Sequence, residues 1–145
     1  MEYSVKRFDE LTASEIYEIL RSRAEVFVKG QGIICIDPDG VDRDSFHIFK
    51  TENGRVSVYL RAYAADRETV RIGRVLTLRP GRGEGTDLMR YALDVLPRLT
   101  GCRRFHIDAQ IQVVPFYEKL GFTVTSEEYL EEGVRHVDME READG

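Results

Sequence analysis

The sequence predicts one α/β domain of the α+β kind, a mixed β-sheet flanked by helices, over residues 1–145. Two observations carry this expectation. Strand-like alternation and helix-like periodicity interleave along the chain in the order β-α-β-β-β-α-β-α-β-β, which fits neither a helical bundle nor an all-β sandwich. The length of 145 residues, with 42% hydrophobic and 32% charged residues, is that of a single globular domain, and a domain near that size buries roughly 70% of the surface its unfolded chain exposes.

The elements follow in order. YSVKRF (3–8) alternates and reads as a first strand. In LTASEIYEILRSRAEVFV (11–28), Thr12 and Glu15 fit a capping box, and Ile16, Ile19, Leu20, Ala24 and Phe27 recur at helical spacing. A loop rich in Asp and Gly, CIDPDGVDRDS, leads to FHIFKTENGRVSVYLRAYAAD, two strand-like runs around Asn53-Gly54, a strong hairpin signal. TVRIGRVLTL is a further strand, and TDLMRYALDVL a helix that ends or kinks at Pro97. RRFHIDAQI is a strand and VVPFYEKLG a short helix, with Pro115 suited to its first turn and Gly121 to its C-terminal cap. FTVTSEEYL and VRHVDMER form a closing hairpin around EEG. There is no internal repeat, low-complexity segment or linker.

Bulk properties narrow the function. The net charge of -5 argues against a nucleic-acid partner, since phosphate backbones are bound by clustered Lys and Arg. Cys35 and Cys102 form no C-x-x-C pair, so they read as incidental thiols rather than zinc or redox ligands. No apolar run approaches the ~20 residues of a membrane span, and MEYSVKRFDE lacks an apolar signal core. The expectation is a cytoplasmic protein with no membrane partner.

The most informative stretch is RVLTLRPGRGEGTDLM (74–89), a strand-like run followed by Gly81, Gly83 and Gly85 and then a helix. Glycines admit positive φ and let backbone N–H groups approach a ligand, and a helix start favours an anion. A phosphate or pyrophosphate site is expected. The stretch lacks the Gly-Lys-Ser/Thr of a Walker loop, and its G-x-G-x-G spacing, late in the chain, fits a dinucleotide fingerprint poorly. The second stretch is FYEKLGF (116–122), which on its own is a helix end with an aromatic face.

Together these stretches resemble the GNAT superfamily of N-acetyltransferases, whose pyrophosphate loop precedes one helix and whose FYEKLGF-like helix follows the next strand. RAEVFVKGQ (23–31), the DPDGVD loop, IGRV and AQ look most like the ElaA-like branch, and the resemblance spans nearly the whole chain. It implies the GNAT acyl-CoA N-acyltransferase fold, acetyl-CoA as cosubstrate and direct transfer to an amine acceptor. The implied cosubstrate-binding set is Val75, Leu76, Thr77, Leu78, Arg79, Gly81, Arg82, Gly83, Glu84, Gly85, Thr86, Phe116 and Tyr117. Tyr117 falls where the family places its general acid, and Leu76 and Leu78 are the candidates whose N–H groups would polarise the thioester carbonyl. The loop is about two residues shorter than the family pattern, and two alignments are open. One puts Pro80 at the Gln/Arg position with Gly83 and Gly85 as the small pair, the other puts Arg82-Gly83 there. In either, Arg79 and Arg82 flank the phosphates.

A base is needed as well, because an alkylamine with a pKa near 10.4 is almost wholly protonated at pH 7. Alternation on RRFHIDAQI puts His106, Asp108 and Gln110 on one face, and His106 with Asp108 reads as a base and its orienting partner, or as a structural pair. Glu25 and His47 are weaker candidates. Asp37, Asp39, Asp42 and Asp44 do not fit an EF-type loop, whose sixth and twelfth positions would fall on Asp42 and Ile48, so no metal is expected. They read as a solvated polar loop, or as a lure for a cationic acceptor. The function expected is an acetyl-CoA-dependent N-acetyltransferase, the alternative a non-catalytic acyl-CoA-binding or sensing domain. The resemblance also suggests a homodimer.

Overall fold

The computed structural model describes residues 3–32 and 37–144. Cys35 lies outside the described residues. The chain forms two compact units, Met1–Tyr63 with Arg74–Leu88 and Ala64–Gly73 with Met89–Gly145.

The first unit begins with β1 (Ser4–Arg7), a 3-10 turn (Phe8–Glu10) and α1 (Ala13–Arg23). The capping box is present. The Glu15 N–H donates to Thr12 Oγ1 at 3.1 Å and the Thr12 N–H to Glu15 Oε1 at 2.9 Å, which satisfies two otherwise orphaned donors. The helix continues as a π-helical turn over Ala24–Lys29, closed by the Gly30 N–H on the Glu25 carbonyl at 2.9 Å. Strands β2 (Phe46–Glu52) and β3 (Arg55–Ala64) form the hairpin, antiparallel to each other and to β1. Asn53 and Gly54 have φ of 51° and 75°, the pair of positive values that a type I′ turn requires. Ile19, Phe49, Val56, Tyr59 and Leu76 make the core here, with Leu11, Val26, Phe27 and Leu78 packed against it. Ser22 Oγ donates to the Val56 carbonyl at 2.6 Å and fixes the helix to the hairpin.

The strand β4 (Thr69–Thr77) carries the chain between the units. In the second unit its Thr69–Ile72 part pairs in parallel with Arg104–Ile107 of β5 (Arg104–Gln110). Between them runs α2 (Glu84–Thr100), and after β5 comes α3 (Val114–Glu118), with Pro115 in its first turn. The closing strands are β6 (Thr123–Val124), β7 (Tyr129–Glu131) and β8 (Val134–Glu142). The eight-stranded sheet has the order β1-β2-β3-β4-β5-β8-β6, with β7 also paired to β8.

Two expectations need correction. The helix does not end at Pro97 but runs to Thr100, with the proline in its last turns. Buried Leu96 anchors that end, Thr100 Oγ1 donates to its carbonyl at 2.8 Å, and Gly101, at φ 76°, closes the helix through its N–H on the Pro97 carbonyl. The first arm of the closing hairpin is two short strands rather than one, because Ser126 Oγ accepts from the Asp138 N–H at 2.8 Å in place of a backbone carbonyl. No helix of the described residues is long and apolar enough to cross a membrane.

Candidate active site

The hydrogen bonds at the two ends of the β3–β4 hairpin locate an irregularity in β4. The Ala65 N–H bonds the Thr69 carbonyl at 2.9 Å, and the Leu78 N–H bonds the Ser57 carbonyl at 2.9 Å. The path from Thr69 to Leu78 is one residue longer than that from Ser57 to Ala65, so β4 carries one extra residue, a β-bulge. Arg74 marks it, with φ 53°, a left-handed conformation that is disfavoured for a residue with a Cβ. Beyond the bulge the alternation of the strand decides which amides are free. The Leu78 N–H is committed to β3, and Leu76 shares its direction, so the outward N–H groups belong to Val75 and Thr77. The expectation that Leu76 and Leu78 present donors to a ligand is corrected accordingly.

The glycine loop follows. Gly81 and Gly83 have φ of 86° and 75°, and a Cβ at either would meet nothing within 4 Å, so it is conformation rather than space that calls for glycine. The Asp87 N–H bonds the Gly83 carbonyl at 3.1 Å, which makes Gly83 the residue that opens α2. The first-turn N–H groups of Glu84, Gly85 and Thr86 therefore have no intrahelical acceptor. Thr77 Oγ1 accepts from the Arg79 N–H at 3.2 Å. The Arg79 guanidinium bridges Glu52 and Glu84, the latter at 2.9 Å, and Glu84 and Glu52 raise its pKa further. Its Nε and Glu84 Oε1 are shielded from solvent and have no hydrogen-bond partner. Arg82 is exposed and makes no ion pair among the described residues.

Three carboxylates of the acidic loop are tied to arginines rather than left to solvent alone. Asp37 Oδ2 accepts from buried Arg23 Nε at 2.9 Å and its Oδ1 from Arg74 Nε at 2.9 Å. Asp39 takes both ends of the Arg61 guanidinium at 2.8 Å, and Asp42 takes Arg23 at 2.7 Å and Arg61 at 3.1 Å. Arg61 holds the Asp39 carboxyl down at about 2, and although burial pushes the Asp42 carboxyl up, Arg23 and Arg61 outweigh it and lower its pKa. Three aspartates are paired with three arginines, Arg23, Arg61 and Arg74, and the fourth, Asp44, is flanked by Arg43, which removes the basis for a lure.

In the second unit, Tyr117 is 6% exposed and lies edge-on between Phe116, at 5.0 Å between ring centroids, and Phe122, at 5.8 Å. Burial raises its pKa, so the hydroxyl is protonated at neutral pH, and it makes no hydrogen bond among the described residues. The ring is buried while the hydroxyl oxygen is not sealed from solvent, which leaves the hydroxyl open to a ligand.

His106 is also buried, on the opposite face of β5 from Phe105 and Ile107. Its Nδ1 lies 3.2 Å from Glu140 Oε2, and its Nε2 lies 3.0 Å from Asp108 Oδ1 and 3.7 Å from Asp138 Oδ1. The register explains the cluster, since Glu140 and Asp138 of β8 stand opposite His106 and Asp108. Tyr129 Oη donates to Asp138 Oδ1 at 2.6 Å, and Arg71 reaches Asp108 at 3.5 Å. Donor atoms of His106, Asp108 and Asp138 lie within 4.8 Å of one another, a spacing a cation could bridge, but Arg71 already brings positive charge there. Sequence reading missed Glu140, Asp138 and Arg74. The first two were readable in principle from the alternation of VRHVDMER once its pairing partner was known.

The weaker base candidates are occupied. Glu25 pairs with Arg55 at 3.1 Å. His47 is buried, with Nδ1 2.6 Å from the Tyr59 hydroxyl and Nε2 2.8 Å from the Asp42 carbonyl, and burial lowers its pKa. A cavity of about 350 Å³ between α1 and the acidic loop, and a groove of about 700 Å³ beside the end of α2, contain neither Tyr117 nor the glycine loop.

Known proteins share this fold. A family model described as an acetyltransferase (GNAT) domain matches residues 42–143. The ElaA protein of Escherichia coli is 33% identical, covering 98% of this chain and 97% of its own, and its crystal structure superposes with a TM-score of 0.88. The crystal structure of an acyl-CoA N-acyltransferase from Pseudomonas aeruginosa superposes with a TM-score of 0.89 at 32% identity, covering 97% of this chain and 99% of that one. An aminoglycoside 6'-N-acetyltransferase complexed with coenzyme A, at 9% identity and a TM-score of 0.73 over 98% of each chain, shares the fold alone.

Proposed function

Because the chain belongs to the GNAT acetyltransferase family, we propose that it transfers an acetyl group from acetyl-CoA directly to a primary amine. The observation that carries this reading is the segment from Val75 to Thr86, in which outward strand amides lead through a positive-φ glycine loop to the unpaired N–H groups that open α2. Such a helix start takes the pyrophosphate of acetyl-CoA, with exposed Arg82 as an added charge partner. Arg79 reaches the phosphates only by exchanging Glu52 or Glu84 for them.

The Val75 and Thr77 N–H groups polarise the thioester carbonyl as the amine attacks and a tetrahedral oxyanion forms. Collapse breaks the C–S bond, and the Tyr117 hydroxyl protonates the departing thiolate. His106 takes the proton of the incoming amine. Glu140 orients the ring through Nδ1, and the Asp108 carboxylate beside Nε2 stabilises the imidazolium that results.

A thermal-shift titration with acetyl-CoA, CoA and ATP in parallel tests the reading, since a ligand that binds only the folded state stabilises by about 2.7 kcal/mol at a hundredfold excess over Kd. For a chain of this size that is a rise of roughly 5–10 °C in Tm. The expected result is a shift with acetyl-CoA and CoA and none with ATP. No shift with either thioester or thiol overturns the reading, and binding without turnover of any amine assigns the chain to acyl-CoA sensing.

A further inference from the structure

The acidic loop has no part in the scheme above, yet it makes some of the most closely paired contacts in the first unit. Its connection to β4 gives it one. Arg74 sits at the bulge with φ 53°, and its guanidinium reaches back to the loop, with Nε on Asp37 Oδ1 at 2.9 Å, Nη2 on the Asp37 carbonyl at 3.1 Å and Nη2 on Asp39 Oδ2 at 3.4 Å. Those acceptors are themselves held from behind. Arg23, which is fully buried, takes the second oxygen and the carbonyl of Asp37, and buried Arg61 takes Asp39 in a bidentate pair. A bidentate guanidinium–carboxylate pair fixes orientation as well as distance. The loop is thus a rigid anchor that grips the one residue of β4 with a disfavoured backbone conformation.

The residue after Arg74 is Val75, the first of the two with an outward N–H. A bulge inserts one residue, and a strand that lost it would shift by one position and turn every amide beyond it to the other side. We infer that Arg74 is a positioning residue for acyl transfer: its clasp to Asp37 and Asp39 holds the bulge that turns the Val75 and Thr77 N–H groups away from β3. This rests on the reading that those amides receive the thioester carbonyl. The clasp itself is a claim about the strand and can be tested without it.

Three proteins are compared, the wild type, Arg74→Ala and Arg74→Gly. Alanine keeps the unfavourable side-chain sterics and loses the clasp, whereas glycine accepts positive φ without a clasp. Hydrogen exchange of residues 75–78, read by mass spectrometry, is expected to accelerate in Arg74→Ala and to stay near wild type in Arg74→Gly. Because oxyanion donors act in the transition state, kcat of Arg74→Ala should fall by about tenfold while the Kd for acetyl-CoA stays within about threefold, and Arg74→Gly should recover most of the loss. Should Arg74→Ala not fold, Asp37→Asn replaces it under the same two readouts. Wild-type exchange and wild-type kcat in Arg74→Ala overturn the inference, as does an Arg74→Gly protein impaired as deeply as Arg74→Ala. If the wild type binds no acetyl-CoA, the acyl-transfer reading fails on its own, and the exchange comparison still decides whether the clasp holds the strand.

Discussion

Tyr117 packs its ring between two aromatic rings and carries a hydroxyl that makes no hydrogen bond among the described residues. Burial also raises its pKa, so the hydroxyl stays protonated and is a weaker acid than a thiol. In the proposed reaction it therefore acts first as a hydrogen-bond donor to the departing sulfur, the proton moving only as the C–S bond breaks. Tyr117→Phe retains the packing and deletes only the proton donor, so kcat should drop by about a hundredfold with the acetyl-CoA Kd nearly unchanged. Steady-state kinetics beside a direct binding titration separates the two effects, and a variant with wild-type kcat removes Tyr117 from the acid role. At this scale the sequence was a partial guide. FYEKLGF pointed to Tyr117 by resemblance, whereas nothing in RVLTLRP distinguishes the amide of Leu76 from that of Val75. Their directions differ because of one extra residue in β4, and its position is visible only through the pairing of the hairpin ends.

Local rules governed the elements that formed as expected. Thr12 and Glu15 cap α1, and Asn53-Gly54 turns the β2–β3 hairpin, because both signals act within four residues of chain. The departures have longer-range causes. Pro97 stays inside α2 because the helix end is anchored by Leu96 and closed by Gly101, and the acidic loop is paired because arginines from α1, β3 and β4 converge on it. Composition alone describes such a loop as hydrophilic, and only tertiary structure reveals that its charges are spent. The cap offers a direct measurement. Thr12→Ala leaves the Glu15 N–H of α1 dependent on water, and chemical denaturation should record a loss of about 1 kcal/mol.

For the whole molecule, the arginine partners of Asp39 and Asp42 couple stability to acid. The Asp39 carboxyl lies near 2 in the folded chain against an ordinary value of 3.8, and that of Asp42 is also lowered. A group whose folded pKa is depressed stabilises the fold above its ordinary pKa and loses that contribution as pH falls through the folded value. Thermal melts should therefore hold steady with respect to these groups above about pH 4 and decline toward pH 2, more steeply in the wild type than in Asp39→Asn. The division of the chain has a further consequence. The first unit takes residues 74–88 from beyond the second unit's first segment, and with them Leu76 of its core and the Arg74 grip on the acidic loop. Neither unit is a contiguous stretch of sequence. A gene fragment ending at Tyr63 would encode a hairpin and a helix with part of their core missing, and a single crossover cannot exchange one unit for another.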